Sequence, residues 1–404
     1  MQTIPTEWPA TLDVSALLAD GWRPTPFRQF VLKIQSRCDL ACTYCYMYEM
    51  ADQSWRSQPR RMSDIVIADT ASRIADHVRA HGLDEIMVVL HGGEPLLAGR
   101  DALRDIITTV RSAVGPGTRV HISAQTNATL LDTEFLELFD ELDVTIGVSL
   151  DGAAHAHDRH RRRPNGQGSY AAVAQALGLL STGRFRRLFG GLLCTIDLEN
   201  DPLETYRALV AFDPPAIDFL LPHGNWSAPP PRPAGVTSAT PYADWLITVF
   251  DHWYAGPRQR AEVRLFGEII QLLLGGASAQ EHIGLSPVGV ITVETDGGIE
   301  QSDTLKSAYD GAPVTGLHVS RDSFDAALSL PPIVARQIGE RALSAICGSC
   351  PENRVCGGGL YTHRYRAGHG FANPSIYCRD LSRLIKHIRR TVAKDVHRLR
   401  ESRP

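Results

Sequence analysis

Short apolar runs alternate along the first half of the chain with longer stretches in which apolar residues recur every three or four positions. The short runs are rich in Val, Ile and Leu, as strands buried in a parallel sheet are. They predict strands at residues 30–35, 85–91, 119–125, 144–150, 188–196 and 217–221. The amphipathic stretches predict helices at residues 63–80, 101–113, 132–140, 170–181 and 202–212. Strands that alternate with helices in this way predict an α/β fold, a partial (β/α)6 TIM-like barrel.

The pattern changes after the sixth predicted strand. Residues 227–241 contain five prolines, which favours a loop or linker over a helix or central strand. Helices are predicted again at residues 242–254 and 265–274, and a basic helix at 381–399. The predicted organisation is an N-terminal extension (1–27), a barrel core (28–226), a Pro-rich linker with helices (227–285) and a C-terminal domain (286–404).

Composition narrows the class of protein. The formal charge of −4 over 404 residues gives no electrostatic case for binding nucleic acid. No apolar run approaches the length of a membrane span, and the polar start with Pro5 and Pro9 does not resemble a signal peptide. We therefore predict a cytoplasmic enzyme without nucleic-acid or membrane partners. Seven of the eight cysteines fall into two groups, which favours metal binding over disulfides.

The first cysteine group directly follows the first predicted strand. Cys38, Cys42 and Cys45 have the spacing Cys-x3-Cys-x2-Cys. Three thiolates from one short loop can bind three irons of a [4Fe–4S] cubane and leave the fourth iron open to a substrate or cofactor. A zinc knuckle or three unconnected thiols are the alternatives. Structural zinc prefers four ligands, however, and no fourth Cys or His lies beside the triplet.

Further polar and glycine-rich segments follow the next three predicted strands. The carboxyl ends of barrel strands share one rim, so these segments should converge there with the cysteines. The glycine pair would let the backbone approach a ligand closely, although strand-end turns and helix caps use the same residue types. The segments supply Gly92, Gly93, Glu94 and Pro95 after the second strand, Gln125 and Asn127 at the end of the third, and Ser149 near the end of the fourth.

The second cysteine group lies in the C-terminal domain. Cys347-x2-Cys350-x5-Cys356 is followed by Cys378. Four soft ligands can close a tetrahedral zinc site or a fully ligated [4Fe–4S] cluster, and spacing alone does not separate the two. Cys194 lies within a predicted strand and is interpreted as a small buried hydrophobe.

The cysteine triplet and the Gly-Gly-Glu-Pro run resemble the signature of the radical S-adenosylmethionine (SAM) enzymes. In that superfamily the open iron binds the amine and carboxylate of SAM, and the glycine-rich run binds the amine. The resemblance implies SAM-pocket roles for the rim residues named above and for Tyr44 and Arg161. Arg161 belongs to the basic run 159–163, which could instead be a solvated loop or hold an acidic peptide.

The second cysteine group resembles the SPASM domain, which carries auxiliary clusters in peptide-modifying radical SAM enzymes. The full SPASM pattern has seven cysteines, and Ser286, Ser302 and Leu360 stand at three of those positions. The three missing ligands belong to the first auxiliary cluster. The resemblance thus implies one auxiliary [4Fe–4S] cluster, with zinc as the alternative occupant.

Longer segments at residues 45–55, 221–226, 358–366 and 370–378 resemble the FxsB family of radical SAM/SPASM proteins. This resemblance implies that a 5′-deoxyadenosyl radical abstracts a Cβ hydrogen from a ribosomally made precursor peptide. An aromatic ring then joins that Cβ, which gives a three-residue cyclophane of the Phe-x-Ser type. A flavodoxin or ferredoxin would supply electrons. Formylglycine-type oxidation of Ser or Cys, thioether or epimerisation chemistry, and a non-catalytic zinc-bound peptide-binding protein are the alternatives.

Removal of a proton from the peptide requires a base. In related sulfatase-maturing enzymes an Asp after the matching Cys position has this role, and Asp303 follows Ser302 here. The resemblance therefore implies Asp303 as the candidate general base. His223 and Asn225, just after the sixth predicted strand, could face the substrate or hold a turn.

Overall fold

A single, mostly parallel sheet forms the centre of the molecule. The computed structural model describes residues 7–256, 261–278 and 280–401. Within these ranges the sheet has ten strands. They are β1 (Gln29–Gln35), β2 (Glu85–Gly92), β3 (Arg119–Thr126), β4 (Val144–Ser149), β5 (Phe189–Thr195), β6 (Ala216–Leu220), β7 (Glu262–Val263), β8 (Val290–Val293), β9 (Gly298–Glu300) and β10 (Val314–His318).

Helices connect the strands and cover the sheet. They are α1 (Val14–Ala19), α2 (Asp64–His81), α3 (Arg100–Val114), α4 (Thr133–Glu141), α5 (Ala154–His160), α6 (Tyr170–Leu180), α7 (Pro202–Val210), α8 (Pro241–Tyr254), α9 (Arg264–Leu273), α10 (Phe324–Ala327), α11 (Pro331–Ala335), α12 (Ala345–Gly348), α13 (Asn353–Cys356) and α14 (Cys378–Glu401). No helix in the described ranges is long and apolar enough to cross a bilayer.

The sheet order is β10-β9-β8-β1-β2-β3-β4-β5-β6-β7. Strands β1 to β6 are neighbours in chain order and pair in parallel, so the predicted partial (β/α)6 barrel is confirmed. Alternate side chains of β1, such as Phe30, Leu32 and Ile34, are fully buried in the main core. The predicted bounds of these strands and helices agree with the structure to within three residues. These elements are long enough for their apolar periodicity to be recognised in the sequence.

The short elements were not predicted. Helix α5 has seven residues and no side-chain cap, and its sequence Ala-His-Ala-His-Asp-Arg-His lacks an apolar stripe. Strands β8 and β9 have four and three residues, too few for a periodic signal. They form because β8 pairs in parallel with β1, Gln29 opposite Val290, and β9 pairs with β8 in the antiparallel direction. The sheet therefore continues across the predicted boundary at residue 286.

A buried lysine connects these added strands to the loop that follows the cysteine triplet. Lys306 is fully buried, and its Nζ lies 3.5 Å from Asp52 Oδ1, 3.3 Å from Glu294 Oε2 and 3.4 Å from Glu300 Oε2. Burial alone would lower the pKa of Lys306, but Glu300, Glu294 and Asp52 hold it above its usual value. Burial raises the pKa of Glu300 to about 7 despite the lysine. One cation thus compensates three enclosed carboxyl groups.

We expect Lys306→Met to lower the free energy of unfolding by about 3–5 kcal/mol, because it leaves buried carboxylates without their cation. The measurement is the midpoint of thermal unfolding. Lys386→Met is the matched control: Lys386 is exposed on α14 and has no ion pair in the described part of the chain, so its effect should stay within about 0.5 kcal/mol. Equal shifts in the two variants would contradict a structural role for the buried cluster.

Candidate active site

A cavity of about 410 Å³, which we call the main cavity, opens at the carboxyl ends of the parallel strands. Its lining includes all three cysteines of the triplet together with Gly92, Gly93, Glu94, Asn127, Tyr44 and Arg161. Residues that follow β6 and residues of the C-terminal region also line it, including His223, His363, Leu360 and Leu381. Of the residues predicted to converge on this rim, Gly92, Gly93, Glu94 and Asn127 line the cavity with the cysteines, whereas Pro95, Gln125 and Ser149 do not.

The cysteine loop and the glycine pair are held together by their backbones. The Gly93 N–H donates to the Gln35 carbonyl at 2.7 Å, and the Glu94 N–H donates to the Arg37 carbonyl at 2.9 Å. A Cβ at Gly92 would collide with the Gln35 carbonyl oxygen, and one at Gly93 with the Arg37 carbonyl and the Tyr48 hydroxyl. Both positions therefore require glycine, because two backbones meet there at van der Waals distance.

The sulfur of Cys38 accepts hydrogen bonds of the kind that a metal-bound thiolate needs. The Leu40 N–H lies 3.4 Å and the Asn127 side-chain amide 3.6 Å from Cys38 Sγ. The same amide donates to Asp39 Oδ1 at 2.8 Å, which fixes its direction. Such outer donors orient and tune a metal ligand. Asn127 thereby joins the end of β3 to the first cysteine.

Burial raises the pKa of all three thiols of the triplet, that of Cys42 to about 11. Enclosed thiols of this kind become thiolates when a metal supplies positive charge, since metal binding releases the proton. Together with the donors on Cys38, this environment fits an iron–sulfur cluster held by Cys38, Cys42 and Cys45.

One set of three potential metal ligands in the described ranges lies within 4.8 Å of one another, and it lies outside both cysteine groups. The set that meets this distance is His77, His81 and Asp325, where Asp325 Oδ1 is 2.5 and 2.9 Å from the two ring nitrogens. Those are hydrogen-bond distances that leave no space for an ion.

Glu94 connects the glycine-rich run to the end of β3. Its Oε1 accepts from the Leu96 N–H at 3.0 Å and from the Thr126 hydroxyl at 2.7 Å, and its Oε2 accepts from the Asn127 N–H at 2.8 Å. Burial raises the pKa of this carboxyl to about 7, although the three donors oppose the rise. Pro95, which is buried, follows at the first position of the 3-10 turn Pro95–Ala98. Glu94 therefore shapes the rim as well as lining the cavity.

Tyr44 and Arg161 meet on one carboxylate. Asp151 accepts from Arg161 Nε at 2.8 Å and from the Tyr44 hydroxyl, and its other oxygen accepts from the Thr195 N–H at 3.0 Å. The Arg161 guanidinium also lies over the Tyr44 ring, 5.4 Å from its centroid. Asp151 was not among the predicted site residues. Its burial at the end of β4 makes it the residue that positions both side chains at the cavity.

Two predicted SAM-pocket residues contact each other behind the rim. The Gln125 side-chain amide donates to Ser149 Oγ at 3.1 Å, and neither residue lines the cavity. A Cβ at Gly147 would collide with the Gln125 amide, so β4 leaves space for this side chain. The roles of Gln125 and Ser149 toward SAM stay predictions.

The second cysteine group forms a separate centre. Cys347, Cys350, Cys356 and Cys378 line one cavity of about 50 Å³ between α12, α13 and the start of α14. Burial raises the pKa of Cys356 to about 12 and also raises that of Cys378. Four thiols around one small space fit a closed metal centre, as their spacing predicts. Cys194 is fully buried in the main core, as expected of a small hydrophobe.

The three positions at which the chain lacks SPASM cysteines do not form a further metal site. Ser286 lines a cavity of about 40 Å³ beside Arg364 and the Arg336–Glu281 ion pair, whose closest N···O distance is 2.7 Å. Ser302 Oγ bonds to Thr304 Oγ1 at 3.0 Å, and Leu360 lines the main cavity. This arrangement supports the prediction of one auxiliary centre.

Asp303, the predicted base, is engaged by a buried cation. Its Oδ2 lies 2.9 Å from Lys33 Nζ and accepts from the Tyr46 hydroxyl at 2.8 Å. Although burial alone would raise the pKa of Asp303, Lys33 and His91 hold it well below its usual value. Asp303 does not line the main cavity, whereas Tyr46 and His91 do. Its role as a base remains a prediction.

His223 and Asn225 have different environments. Asn225 is fully buried and donates to the Ser307 carbonyl at 3.0 Å, while its Oδ1 accepts from the Ser227 and Ala228 N–H groups. Asn225 therefore holds a turn. His223 lines the cavity, together with His282 and His363. The sequence carries no signal for this grouping, because the three histidines come from three distant segments.

Comparison with known proteins agrees with this geometry. Residues 32–209 match the family model described as the Radical SAM superfamily. The matched segment contains the cysteine triplet, the glycine-rich run and strands β2 to β5 entirely. The fold of the chain is thus the radical SAM fold, and SAM with [4Fe–4S] clusters are the cofactors that its cysteines and rim fit.

Curated relatives resemble the chain over most of its length. A serine-type anaerobic sulfatase-maturating enzyme from Bacteroides thetaiotaomicron is 22% identical over 81% of this chain and 83% of its own length. A cysteine-type anaerobic sulfatase-maturating enzyme from Clostridium perfringens is 23% identical over 69% of this chain and 74% of its own.

Solved structures share the fold. Native anSMEcpe with bound AdoMet superposes with a TM-score of 0.78 at 19% identity, covering 91% of this chain and 99% of that one. Streptococcus suis SuiB bound to precursor peptide SuiA has a TM-score of 0.56 at 12% identity, covering 90% and 78%. These comparisons do not test the more specific resemblance to the FxsB family.

We expect Gly93→Ala to weaken SAM binding by at least about tenfold, because the new methyl group would separate the glycine run from the cysteine loop. Equilibrium dialysis of SAM against the reconstituted protein measures this. Gly178→Ala in α6 is the control, since its Cβ would meet no atom within 4 Å. Unchanged SAM affinity in Gly93→Ala would refute the close-approach argument.

Anaerobic reconstitution should load about eight irons per chain, four for each cubane. Replacing Cys38, Cys42 and Cys45 together by Ala should leave about four irons and abolish SAM binding. Replacing Cys347, Cys350, Cys356 and Cys378 together should also leave about four irons but preserve SAM binding, because only the first centre lines the cavity that contains Gly92 and Gly93. Iron analysis measures the metal content of both variants, and equilibrium dialysis measures their SAM binding. Stoichiometric zinc without sulfide would contradict the cluster assignment.

Proposed function

We propose that the chain is a radical SAM enzyme that matures a ribosomally made precursor peptide by joining an aromatic ring carbon to a nearby Cβ. The observation that carries this proposal is the shared cavity. The three-cysteine loop and the glycine rim line it together with the segment after β6 and residues of the C-terminal region. A peptide side chain in that cavity would lie between the radical-generating centre and residues that can handle a proton.

The chain's own residues prepare the cofactor side of the cavity. When bound, SAM and the clusters supply a 5′-deoxyadenosyl radical for hydrogen abstraction and an iron–sulfur centre that takes up one electron. Cys38, Cys42 and Cys45 would hold the first cluster, and the backbone of Gly92 and Gly93 offers close approach to SAM. The ion pair of Asp151 with Arg161 holds that guanidinium at the cavity, where it can bind a carboxylate.

The walls favour an aromatic substrate side chain. Phe219, Leu221, Leu360 and Leu381 line the cavity along with Tyr46. A mostly apolar cavity with a few convergent polar groups can bury a ring and orient it by its edges. This supports crosslinking of a Phe-x-Ser segment, in which the ring and the reacting Cβ must be held together. An electron carrier of the flavodoxin or ferredoxin type completes the proposed partners.

A second candidate function is oxidation of Ser or Cys to formylglycine. Similarity to anaerobic sulfatase-maturating enzymes over 81% of the chain favours it. The chain departs from the full SPASM pattern at Ser286, Ser302 and Leu360, and its longer sequence words resemble the FxsB family. We therefore rank crosslinking first.

Isotopically labelled peptide separates the two reactions. We expect the reconstituted enzyme, with SAM and a reductant, to act on a Phe-x-Ser peptide that carries ring-deuterated Phe. Crosslinking removes one hydrogen from Cβ and one deuterium from the ring, whereas formylglycine formation removes two hydrogens and keeps every ring deuterium. Mass spectrometry of the product distinguishes these losses, and retention of all ring deuterium in an oxidised product would overturn the crosslinking proposal.

A control variant ties the reaction to the first cluster. Cys38→Ala should form no 5′-deoxyadenosine and no product, because the loop loses a ligand that Leu40 and Asn127 orient. Liquid chromatography of the nucleoside products measures this. Product formation at the wild-type rate in Cys38→Ala would contradict radical chemistry at the triplet.

A further inference from the structure

Three histidines that line the cavity each carry an unpartnered nitrogen. His223 Nδ1, His282 Nε2 and His363 Nε2 are buried and have no hydrogen-bond partner. All three residues line the main cavity. A buried polar atom without a partner is costly, and such atoms mark places that a ligand or a reaction completes. The histidine cluster (His223, His282 and His363) is therefore interpreted as functional.

His223 is connected to the predicted catalytic carboxylate through one tyrosine. It lies three residues after the end of β6, and its ring packs edge-on against Tyr46 with centroids 4.8 Å apart. The Tyr46 hydroxyl in turn donates to Asp303. The ring centroid of His363 lies 5.9 Å from that of His223. His223 thus lines the cavity and contacts the tyrosine that binds the buried Asp303 carboxylate.

Asp303 itself is poorly placed to receive a proton. Its Oδ2 is 2.9 Å from Lys33 Nζ, an ion pair that would be broken if the carboxylate were protonated. Asp303 also lies behind Tyr46 and does not line the cavity. A carboxylate in this position favours a positive charge on a neighbouring imidazole.

We propose that His223 accepts the proton that leaves the peptide in the oxidative half of the reaction. This inference rests on the proposed function and assigns its proton acceptor. One hydrogen atom leaves Cβ for the SAM-derived radical, and the Cβ–ring bond forms. One electron then passes to the auxiliary iron–sulfur centre, and the ring proton passes to His223. The peptide loses two hydrogens in total, and aromaticity returns when the ring C–H bond breaks.

The surroundings of His223 suit this role. Burial lowers its pKa to about 4 while the charge of Asp303 opposes that fall, so the imidazole is neutral and can accept a proton near pH 7. The groups that face it are Tyr46 and His363; burial raises the pKa of Tyr46 and lowers that of His363, so both are neutral there. A weak base suffices because the ring carbon that has lost an electron is strongly acidic. Lys33 keeps Asp303 ionised behind Tyr46.

The test uses the reconstituted enzyme and a Phe-x-Ser peptide with deuterium on the reacting Cβ. In His223→Gln, deuterium transfer to 5′-deoxyadenosine should persist within about threefold, whereas crosslinked product should fall by about 10²-fold, the range of a lost general base. Binding of the labelled peptide to the cofactor-free protein should change by less than about threefold. His121→Gln, an exposed histidine on β3 that does not line the cavity, should match the wild type.

Chemical rescue separates proton transfer from a structural role. Added imidazole should restore product in His223→Ala, and the restored rate should rise with pH through about 7 as the neutral imidazole fraction increases. A wild-type ratio of product to 5′-deoxyadenosine in His223→Gln would overturn the proposal. The proposal would also be overturned if Asp303→Asn, and not His223→Gln, lowered the ratio of crosslinked product to 5′-deoxyadenosine. That result would assign the proton to Asp303. Absence of deuterium transfer in the wild type would instead refute the proposed function itself.

Discussion

The close approach of two backbones at the barrel rim is the constraint on which the rest of the site depends. Gly92 and Gly93 touch the chain that leads from β1 into the cysteine loop, and two N–H groups donate to Gln35 and Arg37 there. Because the glycine run is anchored to the cysteine loop, Glu94 can also reach the N–H of Asn127. The first cluster, the SAM side and the third strand are thereby fixed relative to one another before any cofactor binds.

Charge fixes the other side of the cavity. Lys33 of β1 pairs with Asp303. Lys306, three residues after Asp303, pairs with Asp52, Glu294 and Glu300. These buried pairs join the barrel to the C-terminal strands in a register that apolar packing alone would not specify. Such pairs add little net stability but are costly to break, so they determine position more than strength. The Asp303 carboxylate of the first pair also accepts from Tyr46, whose ring packs against His223.

Much of the fold follows from local pattern, since β1 to β6 and their long helices have periodicity over many residues. Strands β8 to β10 could not be predicted, because each is stabilised by a partner strand and not by its own sequence. The cysteines and the glycine pair were recognisable because their spacing carries the chemistry. Asp151 and His223 were harder to find, since their roles depend on neighbours far along the chain.

The sequence by itself determined the fold class, the two cysteine centres and the rim on which the first centre lies, because each depends on spacing or period within a short segment. Tertiary structure alone decided that Asp303 is bound to Lys33, 270 residues earlier, and that Asn225 holds a turn while His223 lines the cavity. It also brought His223, His282 and His363 to one wall. The physical reason is that burial and electrostatic partners arise from the packing of distant segments, which no local pattern records.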